Sequence, residues 1–282
     1  MKISIHQTLS LALGPGLVRA VQHLLLTPRN GTGQSVIDWR IDMPGIEGAP
    51  SFTDGFGNIA RLVTQTRPEA ELLITVSGVV ETTDYHGVVG RMAGEPPPAL
   101  FRRATALTKP IGAITSKFRS APRDGKARLG VLHALMDRVD EVLSGTEAPA
   151  QEQSQSQSQG QSQSQSQSQG TASAGEPTRS EKLPAADYAH AFIGAARALD
   201  IPARYVRGFV AEHEEISAAH AWAEAWDDGL GWIAFDPMLG YCPTERHVRV
   251  AVGFDAATAV AVRSHPTVGT PQTLVMQVEA LQ

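Results

Sequence analysis

From Gln151 to Gly170 the chain is almost nothing but glutamine and serine, and Thr171 to Pro177 is equally poor in apolar side chains. A segment with nothing to bury cannot offset the entropy of being ordered, so the folded structure must be assembled from the two flanks. The tract reads as a flexible linker or loop, in a position where insertions cost little. On its N-terminal side the texture is that of strands. Ile37, Trp39, Ile41 and Met43 alternate with Asp38, Arg40 and Asp42, which predicts one buried and one wet face. Pro44-Gly45, Asp54-Gly55 and Gly57-Asn58 supply turns, and further strands are expected at Lys2–Leu9, Ile59–Thr64 and Leu72–Thr82. Short strands with tight turns and no convincing helix indicate a small β-sandwich or barrel.

From about residue 128 the period becomes helical: Leu129, Leu132, Leu135, Met136, Val139 and Val142 fall on one stripe, and the helix is expected to stop near Ser144-Gly145. The divisions that follow are an N-terminal β domain over 1–95, a connector and the helical start of the core over 96–144, the Gln/Ser insertion over 145–180, and the core over 181–282.

Composition excludes several classes. A net charge of −5 and a pI near 6.0 give no general affinity for nucleic acid or for anionic membranes. No apolar run approaches the roughly 20 residues of a membrane span, and Met1–Gly16, interrupted by His6, Gln7 and Thr8, lacks the apolar core of a signal peptide. A cytoplasmic location is the expectation. One cysteine, Cys242, permits neither an internal disulfide nor a Cys-rich zinc site, so no cofactor and no metal are expected.

Beyond the tract, Leu183-Pro184-Ala185 opens a helix: Pro184 suits the first turn, Asp187 suits the positive end, and Ala189, Phe192, Ile193, Ala196 and Leu199 form an inward stripe. Further on, His220, Trp222, Glu224 and Trp226 share one face of a strand, and Trp232, Ala234 and Asp236 one face of the next. The intervening D-D-G-L-G is hairpin chemistry. If Trp226 lies opposite Trp232, Trp222 lies opposite Asp236 and His220 is its diagonal neighbour, about 7–8 Å away, near enough for imidazole and carboxylate to meet.

These stretches, L-P-A-A-D-Y-A-H over 183–190, A-A-H-A-W-A-E-A-W around His220 and G-W-I-A-F-D-P ending at Pro237, resemble the core of the bacterial transglutaminase-like family, a relative of the papain-like thiol enzymes. W-R-I-D-M-P-G and F-T-D-G-F-G-N resemble that family's N-terminal domain, so the likeness covers nearly the whole chain. The resemblance implies an α+β protein, an N-terminal β-sandwich or barrel followed by a papain-like transglutaminase core with a Cys-His-Asp triad. Against the family's G-V-C-Q-D-F-A-H, the nucleophile's position is Ala185 and the neighbouring Gln is Ala186, while His220 and Asp236 match the other two triad members.

A helix N-terminus has unpaired N–H groups and a positive dipole that favour a thiolate, which is why the family places its cysteine there. Alanine offers no nucleophile, and covalent acyl transfer requires one. Three readings stay open: a pseudoenzyme that binds a peptide or protein; an amidase or peptidase in which His220 and Asp236 activate water or Cys242 substitutes; and a purely structural module. Trp222, Trp226 and Trp232 read as core, and Trp222 is also the candidate wall of an acyl-substrate groove in the family pattern. The charges of E-R-H-V-R-V-A-V-G, Glu245 to Gly253, read as a solvated face with fold contacts, and His213-Glu214-Glu215 lacks the second His of a zinc-peptidase motif. A peptide or protein is the possible partner, with no nucleic acid and no membrane, and the sequence leaves the oligomeric state open.

Overall fold

The computed structural model describes residues 1–120, 125–145, 183–211 and 219–281, so the Gln/Ser tract and His213-Glu214-Glu215 lie outside the described residues. The N-terminal part is a β-sandwich. One sheet runs β13 (Gln272–Leu281), β1 (Lys2–Ala12), β6 (Glu71–Thr82), β3 (Gln34–Asp42); the other runs β12 (Val262–His265), β2 (Arg19–Thr27), β5 (Ile59–Thr66), β4 (Ser51–Thr53). Leu9 and Leu11 of β1, Leu24 of β2, Val63 of β5 and Ile74 and Val76 of β6 meet in its core.

The second sheet system is the core sheet, in order β11 (His247–Gly253), β8 (Ala203–Val210), β9 (His220–Asp227), β10 (Gly231–Phe235), β7 (Val88–Gly90). The short helix α1 (Gly112–Thr115) and the longer α2 (Gly125–Ser144) and α3 (Ala185–Ala198) cover one face. Ala221, Ala223 and Ala225 of β9 turn to that face with side chains small enough to admit α3 closely, and Tyr188 through Arg197 of α3 are all buried. The inward stripes expected on α2 and α3 are in place: Leu132, Leu135, Met136 and Val139 are buried, as are Ala189, Phe192, Ile193, Ala196 and Leu199.

Strands cross the divisions expected from the sequence. β7 pairs with β10 in the core sheet, and β12 and β13 return to pair with β2 and β1 of the sandwich. Ile37, expected on the buried face, is 55% exposed because the register of β3 on β6 slips between Val36 and Asp38. The extra residue of this bulge turns outward while Trp39 and Ile41 remain on the inner side.

Sandwich and core are joined by polar contacts at the free edge of β11. Gln34 receives the Arg249 N–H (2.8 Å) and donates to the Arg249 carbonyl (2.9 Å), while Asn58 does the same to Val252 (2.8 Å each). Each amide mimics a missing strand. Beneath them lies a balanced buried quartet: Arg204 contacts Glu224 (2.6 Å) and Glu95 (2.9 Å), and Arg249 contacts Glu224 (2.9 Å) and Glu95 (3.4 Å). The Arg204 guanidinium also stacks on Trp232, 3.9 Å from the ring centre. At the end of α3 the Arg197 guanidinium donates to the carbonyls of Phe101, Ala203 and Phe254 and to the Thr108 hydroxyl, and burial, opposed by the charge of Asp255, lowers its pKa to about 10.

Asn58→Ala removes both partners from a buried segment of β11 backbone. A loss of about 2–4 kcal/mol in a urea titration is expected. A loss within experimental error contradicts the view that this amide fastens sandwich to core.

Candidate functional site

The hairpin of β9 and β10 has the register expected from the sequence, with Trp226 opposite Trp232 and Glu224 opposite Ala234. Asp227 secures the turn by accepting the N–H groups of Gly229 and Leu230 through Oδ1, 2.9 Å each. That register brings His220, the first residue of β9, to Asp236, which follows the last residue of β10. His220 Nε2 lies 2.5 Å from Asp236 Oδ2.

A second imidazole shares that oxygen. His247, the first residue of β11, places Nε2 at 3.2 Å from Asp236 Oδ2, while Asp236 Oδ1 accepts the backbone N–H groups of Met238 and Leu239 at 3.2 Å each. The carboxylate therefore takes four donors, two on each oxygen. His220 is 1% exposed, Asp236 0% and His247 3%, so the whole arrangement is out of water. Burial by itself would raise the Asp236 pKa; the hydrogen bonds from His220 and then His247 outweigh it and hold the carboxyl below its ordinary value of 3.8.

Proton placement follows from the partners. His247 Nδ1 accepts the Thr244 N–H at 3.2 Å, so its proton sits on Nε2 and points at Asp236. His220 also presents Nε2 to a carboxylate that can only accept, which leaves its Nδ1 as the basic nitrogen; among the described residues no hydrogen bond reaches it. The nitrogens and carboxylate oxygen of His220, Asp236 and His247 lie within 4.8 Å of one another, close enough to suggest a metal. The donor set does not fit one. A metal on His247 Nε2 needs a lone pair there, and the neutral ring's single in-plane lone pair is on Nδ1, where it accepts the Thr244 N–H.

His247 was missed in the sequence, where its run of charges reads as solvated. Instead His247 is buried and Arg249 belongs to the buried quartet. Trp222 is core, the first of the two expectations for it; at 0% exposure it does not wall a groove. Its ring stacks on His220 (centroids 6.2 Å) and meets His247 edge-on (5.4 Å). The ring has room because residue 208 is glycine; a Cβ there would sit 2.5 Å from a ring carbon of Trp222 and 2.1 Å from the Val248 carbonyl. Trp222 thus serves as a rigid spacer behind the two imidazoles.

Ala185 is the first residue of α3, and Pro184 occupies the capping position rather than the first turn, with no side-chain cap on the helix. The positive end of α3 has no side-chain cap, its Asp187 N–H turns back to the Pro184 carbonyl (2.9 Å), and the Ala185 methyl there is half-buried. Cys242 packs on the same hydrophobic cluster as Ala185, and burial raises its thiol pKa to about 11. A thiol so shifted is a poorer nucleophile than free cysteine, the reverse of what a replacement requires. His190, one of the four residues of D-Y-A-H, stacks on Tyr205 (5.1 Å) and accepts the Ala256 N–H at Nε2 (3.0 Å), a structural role.

Comparison with known proteins places this geometry. The transglutaminase-like superfamily core is matched over residues 144–237, and the bacterial transglutaminase-like N-terminal region over residues 4–81. The core match contains Ala185, His220 and Asp236 and stops short of His247. The uncharacterized protein ML0607 of Mycobacterium leprae (strain TN) is 23% identical over 248 residues, 82% of this chain and 80% of its own length. The crystal structure of a provisionally named cysteine protease from Cytophaga hutchinsonii superposes with a TM-score of 0.63 at 19% identity, covering 99% of this chain and 89% of that one. It shares the fold. The periplasmic domain of TgpA from Pseudomonas aeruginosa, at 15% identity over 84% of this chain and 88% of that one, has a TM-score of 0.34, too low to argue from. Among the described residues no helix is long and apolar enough to cross a membrane.

The pH dependence of stability tests the four-donor carboxylate. Because the folded-state pKa of Asp236 is depressed, its contribution is complete above about pH 4 and is lost as pH falls through the folded value. Asp236→Asn is expected to lower stability at neutral pH by about 3 kcal/mol and to flatten the acid limb below that pH, measured by urea melts at stepped pH. Identical acid limbs in the two proteins contradict it.

Proposed function

We propose that this chain, a transglutaminase-like superfamily protein carrying the bacterial transglutaminase-like N-terminal region, has lost cysteine-dependent acyl transfer and acts by binding a peptide or protein at the degenerate site. One observation carries the reading: the uncapped N-terminus of α3 presents Ala185, and the chain's single thiol, on Cys242, is pushed up to about 11 by burial. No sulfur is poised for attack.

The rest of the catalytic frame is retained. Asp236 fixes the His220 tautomer and would stabilise an imidazolium, as an orienting carboxylate does beside a general base. A base without a nucleophile retains at most the modest acceleration that binding and a polarising site supply. Water activated by His220 is the alternative route, and its full burial, at 1% exposure, speaks against ready delivery of that water. Binding has exposed apolar groups to use next to the site in sequence: Leu183, 39% exposed, two residues before Ala185, and Tyr241, 37% exposed, whose ring lies 6.0 Å from that of His247.

Purified protein is expected to release no ammonia and form no isopeptide bond with glutamine-containing peptides, and to cleave none. Turnover that disappears in His220→Ala overturns the proposal. Ala185→Cys in a Cys242→Ser background is expected to titrate below the ordinary thiol value of about 8.5, read from thiolate absorbance, and to return toward it when His220→Ala is added. A thiol titrating at the ordinary value would show that the helix end and His220 no longer form a thiolate site.

A further inference from the structure

The sheet edges of this molecule are guarded unequally. β4, β7 and β12 have three or four residues each, too short to template another strand, and β11 is covered by the side chains of Gln34 and Asn58. β3 is long, but its edge carries exposed Asp38, Arg40 and Asp42 and a bulge, the usual protections against pairing. β13 stands apart. It has ten residues, lies at the end of its sheet beyond β1, and carries a single charge, Glu279. A bulge at Leu274 interrupts its N-terminal end, because Thr8 pairs with Val275 and Leu9 with Thr273. What remains is a regular edge from Val275 to Leu281 that no strand among the described residues pairs with.

That stretch, V-M-Q-V-E-A-L, is palindromic in chemical type about its middle residue. Met276 and Val278 turn inward and pack against the cluster between sandwich and core; Val275 (41%) and Leu281 (43%) are exposed. An antiparallel copy centred on Val278 would set Val278 against itself, Met276 against Ala280, Val275 against Leu281 and Gln277 against Glu279. Inward residues meet inward residues, exposed apolar meets exposed apolar, and the one carboxylate meets an amide that can donate to it. No like charges face each other. A two-fold contact requires this self-complementarity, since each residue must suit the partner that the symmetry assigns.

We infer that a second copy of this chain is the occupant of the β13 edge, forming a two-fold dimer whose four-stranded sheets join into one continuous sheet across the Val275–Leu281 contact. The backbone groups that β13 leaves unpaired become the hydrogen-bond ladder of the interface. The inference is independent of whether the degenerate site is active, since β13 contributes nothing to that site.

Sedimentation velocity of the full chain, as wild type, Gln277→Glu and Gln277→Lys, tests it. The wild type is expected to sediment as a dimer at micromolar to tens-of-micromolar concentration. Gln277→Glu sets two carboxylates against each other at both symmetry-related positions and is expected to weaken the dimer by roughly fivefold to tenfold; Gln277→Lys sets a cation against Glu279 and is expected to tighten it. The substituted side chain is solvent-facing in the monomer, so circular dichroism is expected to be unchanged in both. A monomeric wild type overturns the inference whatever else that edge might bind. So does a dimer that the two substitutions leave unmoved, or shift in the same direction, since its interface would then lie elsewhere.

Discussion

The carboxylate of Asp236 is the point at which the core is tied together. Its two oxygens accept from the side chains that open β9 and β11 and from two consecutive amides of the turn after β10. Three segments of the sheet system are therefore referred to one buried charge. An ionised group at 0% exposure is sustainable only when its lone pairs are met, and here every one is. The same saturation that makes the charge tolerable also fixes the tautomer of His220 and leaves Nδ1 as the basic nitrogen. Structural support and ring orientation are one arrangement in this protein, so the His220–Asp236 contact does not by itself require catalysis.

The hydrophobic and polar layers around that carboxylate divide the work. Alanines on the helix-facing side of β9 let α3 sit close, while His220, Trp222 and Glu224 occupy the other face. Glycine at 208 lets the Trp222 ring lie behind the imidazoles, and Arg204 with Glu224 continues the polar line toward the sandwich. In the quartet the two arginines and two glutamates offset one another's charge, which limits the cost of burying them. Sandwich and core are thus a single assembly, sewn by strands that cross between them and by the amides of Gln34 and Asn58.

Much of this was legible in the residues because it is local. The Trp226–Trp232 register follows from a two-strand alternation around an Asp/Gly turn, and with it the meeting of His220 and Asp236. The α2 and α3 stripes follow from apolar spacing. What escaped is non-local. His247 reaches Asp236 because β8 threads between β11 and β9, an order that no local pattern announces, and its charged neighbours disguised a buried strand. Trp222 reads as core or as a groove wall because a strand face does not reveal what lies above it, and burial decides for the core. Ile37 broke the alternation through a single inserted residue, and the return of β12 and β13 to the sandwich depends on pairing across more than two hundred positions of chain. The alanine at the start of α3, by contrast, was visible at once, since a residue type at a helix start is a local fact; its reading as a nucleophile position rests on the family resemblance.

The most direct measurement of the account's central claim is the protonation of the two imidazoles, read from long-range proton–nitrogen correlations in protein labelled with nitrogen-15 histidine at neutral pH. Both His220 and His247 should carry the proton on Nε2, with His220 Nδ1 showing the shift of an unprotonated, unbonded nitrogen. A proton found on His220 Nδ1, or on His247 Nδ1, would mean that Asp236 is not the shared acceptor, and the physical basis for an oriented but nucleophile-free site would be lost.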